Sequence, residues 1–212
     1  MQPTRSETDA RQRLLDAAER LLREQGYERM SVRAVNKAAG MNPAAVHYHF
    51  GSKEELVTAL LERSLKQAWD ESLTTLKIPV APEVGEIARA LVEPMARIAG
   101  DDSRRWMLAL LARLVLSGQP LPWRSPWSAP EPWIAMLGRA LPHLPAHAVA
   151  ERWRLARDLV LLTYGAPFGD SAGPPPPTPT VIAFVAAGMA AEGATPHGHD
   201  LRARPPGAAD PA

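Results

Sequence analysis

The chain has 212 residues, is 46% hydrophobic and carries a formal net charge of +1. That length supports one well-packed core, or a small domain joined to a larger one. Near-neutrality lacks the basic excess of many nucleic-acid binders, so any such function must rest on where the charges sit. The absence of cysteine excludes disulfides and thiolate metal sites, and it suits a reducing compartment. The most apolar stretch, Trp106 to Leu116, is interrupted by Arg113 and is too short to cross a bilayer. Met1 to Ala10 shows no basic-then-apolar leader pattern. A soluble, cytoplasmic protein with no membrane partner is expected.

No segment alternates apolar and polar residues over strand length, so the chain reads as all-α. The first helix is expected from about Thr8 to Gln25, with Leu14, Ala18, Leu21 and Leu22 on one face. Ser6, three residues before Asp9, gives a capping-box-like start. Gly26 followed by Tyr27 suggests a Schellman end, with Tyr27 packing back on Leu22. A short second helix is capped by Ser31, filled by Val32 to Ala39 and ended by Gly40. Asn42 then caps a third helix with Pro43 at its first position, running to Phe50. Ser52-Lys53-Glu54-Glu55 is a capping box that opens a long fourth helix bearing Leu56, Leu60, Leu65 and Trp69. Helices this short need a shared core, and Leu22, Val32, Val35, Val46, Phe50 and Leu56 can supply it.

Between Arg29 and Lys53 there are four basic residues (Arg29, Arg33, Lys37, Lys53) and no acidic one, a local charge of +4. Such a patch attracts phosphates, with an affinity that falls as salt rises. The third helix begins with the small Ala44 and Ala45, which allow close approach to base edges. It continues with His47, Tyr48 and His49, which can donate to phosphates. Free N–H groups at its start, and Lys53 with Ser52 at the next helix, would add phosphate contacts.

The stretch MSVRAVNKAAGMNPAAVHYHFGSKEEL resembles the DNA-binding domain of TetR-type regulators, over about residues 8–68. Ser31, Val35, Ala39-Gly40, His47-Tyr48-His49-Phe50, Lys53 and Leu56 carry the likeness, and Gly26-Tyr27 fits it. The resemblance implies that Pro43 to His49 enter the major groove, that Arg33 reaches DNA from the second helix, and that Tyr48, His49 and Lys53 hold phosphates. With the caps Ser31 and Asn42, the candidate DNA-binding set is Ser31, Arg33, Asn42, Pro43, Ala44, Ala45, His47, Tyr48, His49 and Lys53. The family has alanine where Asn36 stands, so this larger polar side chain must find a partner or turn outward.

The C-terminal region is expected to be helical near 84–99 (kinked at Pro94), 102–117, 131–141, 147–167 and 179–191. The resemblance implies that it pairs two subunits and encloses a small-molecule pocket. The segment GQPLPWRSPWSAPEP is too proline-rich for a regular helix, and its Trp123 and Trp127 either cap a pocket or pack as cover. Trp106, Leu110, Trp123, Trp127 and Trp153 form the candidate pocket set, between the helices near 102–117 and 147–167. The helix near 179–191 is small and apolar all round, and should pair with the helix near 147–167 and their copies across a two-fold axis.

The organisation expected is a tail (1–7), a three-helix helix-turn-helix domain (8–68), a helical regulatory and dimerisation domain (69–191) and a disordered tail (192–212). The histidine pairs 47/49, 143/147 and 197/199 are poorly spaced or placed to share a metal. Gly169-Asp170-Ser171-Ala172-Gly173 resembles the nucleophile segment of trypsin-like proteases but has no β-scaffold around it. No catalytic residue, cofactor or metal is expected. The function expected is a homodimeric repressor on a palindromic double-stranded DNA operator, released by a small-molecule effector. The alternative is a helical small-molecule-binding protein or enzyme whose first helices only pack.

Overall fold

The computed structural model describes residues 5–76, 82–119, 121–125, 128–166 and 174–192. Among these residues the fold is all-helical: α1 (Arg5–Arg29), α2 (Val32–Ala38), α3 (Ala45–His49), α4 (Lys53–Leu76), α5 (Val84–Ala99), α6 (Arg105–Leu116), α7 (Pro130–Ala140), α8 (Ala146–Gly165) and α9 (Thr178–Ala190). The expected helices are all present. The segments Gly169 to Gly173 and 193–212, with His197 and His199, lie outside the described residues.

Local chemistry places most of the ends. Ser31 Oγ accepts from Ala34 N at 3.2 Å, and Ser52 Oγ accepts from Glu55 N at 3.0 Å, so both predicted caps form. At Gly118, Gln119 N donates to Leu114 O and Gly118 N to Val115 O, each at 3.1 Å, which is a Schellman end. The first helix departs from expectation at both ends. It begins at Arg5 rather than near Thr8, so Ser6 lies inside it rather than capping it. Gly26 has positive φ, but its ψ of 172° is extended, so no Schellman motif forms there. The chain instead kinks and makes one further turn, with Met30 N on Gly26 O at 3.3 Å.

One core runs through the molecule. Leu14, Ala18 and Leu22 of α1, Val35 of α2, Val46 and Phe50 of α3, and Leu56 and Leu60 of α4 are buried together. The buried stripe of α4 continues through Leu61, Leu65 and Trp69, and α4 packs on α5. Helix α5 is central to the C-terminal region, packing on α4, α6, α7, α8 and α9. Its stripe Ile87, Leu91, Met95 and Ile98 is buried as the periodicity requires, and the helix runs unbroken through Pro94.

Helices α6 and α8 cross closely at Gly165. A Cβ there would lie 2.3 Å from Ala112 Cβ and 3.0 Å from the Leu108 carbonyl oxygen. Both neighbours are backbone or one bond from it, so neither can swing aside. Gly165→Ala is therefore expected to destabilise the chain by about 1–3 kcal/mol. A thermal melt checks this, and an unchanged Tm would show that the crossing is looser than its geometry.

Candidate nucleic-acid interface and ligand cavity

The turn between α2 and α3 is held by Asn36. Its side chain is 1% exposed. Its Nδ2 donates to Pro43 O at 2.6 Å, and its Oδ1 accepts from Val46 N at 3.0 Å. The amide orientation follows from the partners, since a carbonyl needs a donor and an N–H needs an acceptor. Its main-chain oxygen also accepts from Met41 N at 2.9 Å, closing the Schellman end of α2 around Gly40. The residue that departs from the family pattern thus clamps the two short helices together.

This clamp corrects the start of α3. The regular helix begins at Ala45, two residues later than expected, and spans five residues. Its first N–H groups are spent internally: Ala44 N on Asn42 Oδ1 at 3.0 Å, Ala45 N on Asn42 O at 3.1 Å, and Val46 N on Asn36. Free N–H groups for phosphate are therefore not available at Ala44 to Val46. Ala45 is 3% exposed and belongs to the core, so of the two small residues only Ala44 faces outward.

The other candidates are open to solvent. Arg29, Ser31, Arg33, Lys37, Asn42, Pro43, Ala44, His47 and Tyr48 are exposed, and His49 is half-buried. Tyr48 is 76% exposed, the most exposed large apolar side chain among the described residues. Its ring meets the His49 ring edge-on at 4.9 Å. His47 Nδ1 lies 2.8 Å from Gly51 O, which fixes the ring beside the end of α3. The backbone oxygen of His49 accepts from the Arg11 guanidinium, which also lies 4.2 Å from the centroid of the Phe50 ring. Burial, then the charge of Arg124, holds Arg11 below its ordinary pKa.

Lys53 is placed differently from expectation. Its Nζ donates to Tyr27 O at 2.7 Å and sits 4.0 Å over the Tyr27 ring. The ammonium is thus engaged by the extra turn that Gly26 creates, and it locks α1 to α4. The Tyr27 hydroxyl donates to Glu54 Oε1 at 3.4 Å, and burial followed by Glu54 raises its pKa.

A second feature lies in the C-terminal region. A cavity of about 220 Å³ is bounded by α4, α5, α6, α7, α8 and by Gly118, Gln119, Leu121, Trp123 and Ser128. Trp123 and Trp153 line it, and Trp127 lies outside the described residues. Trp106 and Leu110 do not line it, which corrects that expectation. Leu111 and Val115 do, and they lie on a different stripe of α6 from Trp106 and Leu110. Trp106 instead faces α1, with the Arg23 guanidinium 5.7 Å from its ring. Trp69, Trp133 and Arg157 also line the cavity, and no local sequence signal marks them for it.

Residues 121–125 separate this cavity from an ionic cleft. Leu121 and Trp123 line the apolar cavity, whereas Pro122, Arg124 and Ser125 line the cleft against α1 and α4. Glu62 Oε1 of α4 accepts from Arg124 N at 2.7 Å, Ser125 N at 2.6 Å and Ser128 Oγ at 3.2 Å. The Arg124 side chain reaches Glu55 Oε1, in the first turn of α4, at 3.5 Å.

The family model "Bacterial regulatory proteins, tetR family" matches residues 14–60. The HTH-type transcriptional regulator BetI of Rhizobium meliloti is 33% identical over 82 residues, 39% of this chain and 38% of that protein. The HTH-type transcriptional repressor AcnR of Corynebacterium glutamicum is 43% identical over 53 residues, 25% of this chain and 28% of that protein. These alignments span only 38% and 28% of the two curated relatives. Over most of the chain the fold is similar to that of Streptomyces coelicolor A3(2) SCO7518, at a TM-score of 0.53 and 18% identity. That match covers 85% of this chain and 98% of the other. Mycobacterium smegmatis AmtR matches at a TM-score of 0.50 and 20% identity, covering 91% of this chain and 92% of the other.

Asn36→Ala is expected to leave the Val46 N–H and the Pro43 carbonyl buried without partners, at a cost of about 1–3 kcal/mol. Asn36→Asp keeps the acceptor but turns a carboxylate toward a carbonyl, and should be no better. Thermal melts of both variants check this, and wild-type stability in Asn36→Ala would dismiss the clamp.

Proposed function

We propose that this TetR-type chain is a DNA-binding transcription regulator, a homodimeric repressor that a small molecule releases from a palindromic operator. The observation that carries the reading is the acid-free run from Arg29 to Lys53, in which Arg29, Arg33, Lys37, His47 and Tyr48 are all exposed. The Asn36 clamp presents α3 at a fixed angle next to those cations. In this reading α3 enters the major groove, with Ala44 against base edges and Arg33, Tyr48 and His49 on phosphates. Ser31, Asn42 and Pro43 shape the approach. Lys53, held on Tyr27, supports α4 and touches phosphate only with the donors that remain to it.

Dimerisation through α8 and α9 is supported by surface chemistry. Leu155 (59% exposed), Leu162 (46%) and Phe184 (68%) lie on these two helices. Large apolar groups gathered on two adjacent helices mark an interface. A two-fold axis there would offer two copies of α3 to successive major grooves.

The apolar cavity is the proposed effector site. A ligand acts on DNA affinity only if it binds one arrangement better than another. Residues 121–125 provide the route: a ligand that shifts Trp123 also shifts Arg124 and Ser125, which Glu62 and Glu55 tie to α4. Action on DNA implies a cytoplasmic protein, and no described helix is long and apolar enough to cross a membrane.

Selection of bound fragments from genomic DNA is expected to return sites with two-fold symmetry, bound less tightly as salt rises. Arg33→Ala should weaken binding on every fragment and reduce the salt slope by about 1. Failure to retain any fragment at low salt would overturn the reading. Phe184→Glu should convert a dimer to a monomer by light scattering and lose the palindromic sites. A monomeric wild type would dismiss this interface.

A further inference from the structure

The ionic cleft between α1, α4 and residues 121–125 leaves one ion pair unmade. Arg11, Arg63, Lys66 and Arg124 line it as cations, and Glu55 and Glu62 as anions. Most of these charges are committed. Arg63 pairs with Asp16 at 2.9 Å and with Glu19 at 3.0 Å. Lys66 is engaged as well. Glu62 Oε1 takes the N–H groups of Arg124 and Ser125 and the Ser128 hydroxyl. Arg11 is the exception. Among the described residues it has no carboxylate within ion-pair distance, and its guanidinium rests on the His49 carbonyl oxygen and the Phe50 ring.

Glu55 stands at the same end of α3. Its Oε2 occupies the space that a Cβ on Gly51 would fill, and His49 and Phe50 are the two residues before Gly51. Its Oε1 is held only by Arg124, at 3.5 Å, and the Arg124 side chain is 70% exposed. Such an exposed pair is weak. A guanidinium gains roughly twice as much from a carboxylate as from a neutral carbonyl. Burial, then the like charge of Arg124, works against the Arg11 cation, and a carboxylate would relieve it. With Arg124 gone, Glu55 becomes the better partner for Arg11, and the His49 carbonyl loses its donor.

We propose that Arg124 is a positioning residue for α3: by holding Glu55 it keeps that carboxylate off Arg11, and so leaves Arg11 on the His49 carbonyl. The proposal rests on the reading of α3 as the element that enters the major groove. Arg124 follows Trp123 of the cavity wall, so the swap adds to that reading a route that ends at α3 itself.

Hydrogen–deuterium exchange of the full chain tests the swap without DNA. Arg124→Ala keeps both backbone N–H groups on Glu62, so the segment stays in place. Exchange at Phe50 and Gly51, whose amides donate to the Val46 and His47 carbonyls, is expected to rise about fivefold. Arg124→Ala combined with Glu55→Gln should return to within about twofold of wild type, because a neutral amide does not draw Arg11 away. Binding to the selected DNA fragments should follow: about fivefold weaker in Arg124→Ala, with an unchanged salt slope, and restored in the double variant. Unchanged exchange or unchanged DNA affinity in Arg124→Ala would overturn the proposal. So would a rise in exchange spread over the whole chain, or a rise that survives Glu55→Gln. A salt slope lower by about 1 would mark Arg124 as a phosphate contact instead and overturn it too. A wild type that binds no fragment would overturn the regulator reading, while the exchange results still decide the swap.

Discussion

One side-chain amide determines whether the unit formed by α2 and α3 exists as a shape. Helices α2 and α3 have seven and five residues, too few to persist alone. Asn36 closes the turn between them with a donor and an acceptor on a single rigid group, and its backbone oxygen ends α2. Each bond is modest in net terms, about 0.5–1.5 kcal/mol. The larger constraint is negative: with the clamp gone, a buried N–H and a buried carbonyl would each lack a partner. The angle of α3, and with it the exposed set around Tyr48, follows from satisfying those two groups.

That choice spends the start of α3 on the protein itself. Asn42 and Asn36 take the N–H groups of Ala44, Ala45 and Val46. In the proposed reading, phosphate contacts are left to the side chains of Arg33, Tyr48 and His49. Lys53 is partly withdrawn as well, because the kink at Gly26 brings the Tyr27 ring and carbonyl under its ammonium. Of the four cations between Arg29 and Lys53, Lys53 is therefore already engaged within the protein.

Helix α4 belongs to both halves of the molecule. Its N-terminal turn follows α3, its buried stripe runs into the C-terminal core at Trp69, and Glu62 holds the segment that walls the apolar cavity. Alternation along residues 121–125 puts apolar side chains on one side and Arg124 on the other. Trp123 N donates to Leu121 O at 2.8 Å, a tight turn around Pro122, with Leu121 and Trp123 on the cavity and Pro122 on the cleft. Cavity and helix-turn-helix thus share one piece of backbone.

The sequence by itself determined the helices, several of their ends and the segment, within residues 14–60, that matches the tetR family model. These depend on rules that act within a few residues: the period of Leu and Val, the hydroxyls of Ser31 and Ser52, the glycines at 40 and 118, and the acid-free run from Arg29 to Lys53. Tertiary structure decided what each side chain is free to do. The partners of Asn36 lie seven and ten residues away, Lys53 meets Tyr27 across twenty-six, and Glu62 meets Ser125 across sixty-three. The burial of Ala45, and the stripe of α6 that faces the cavity, depend on the angle at which helices pack. No local pattern encodes that angle. It is fixed only when every buried polar group and every apolar face has found its partner at once.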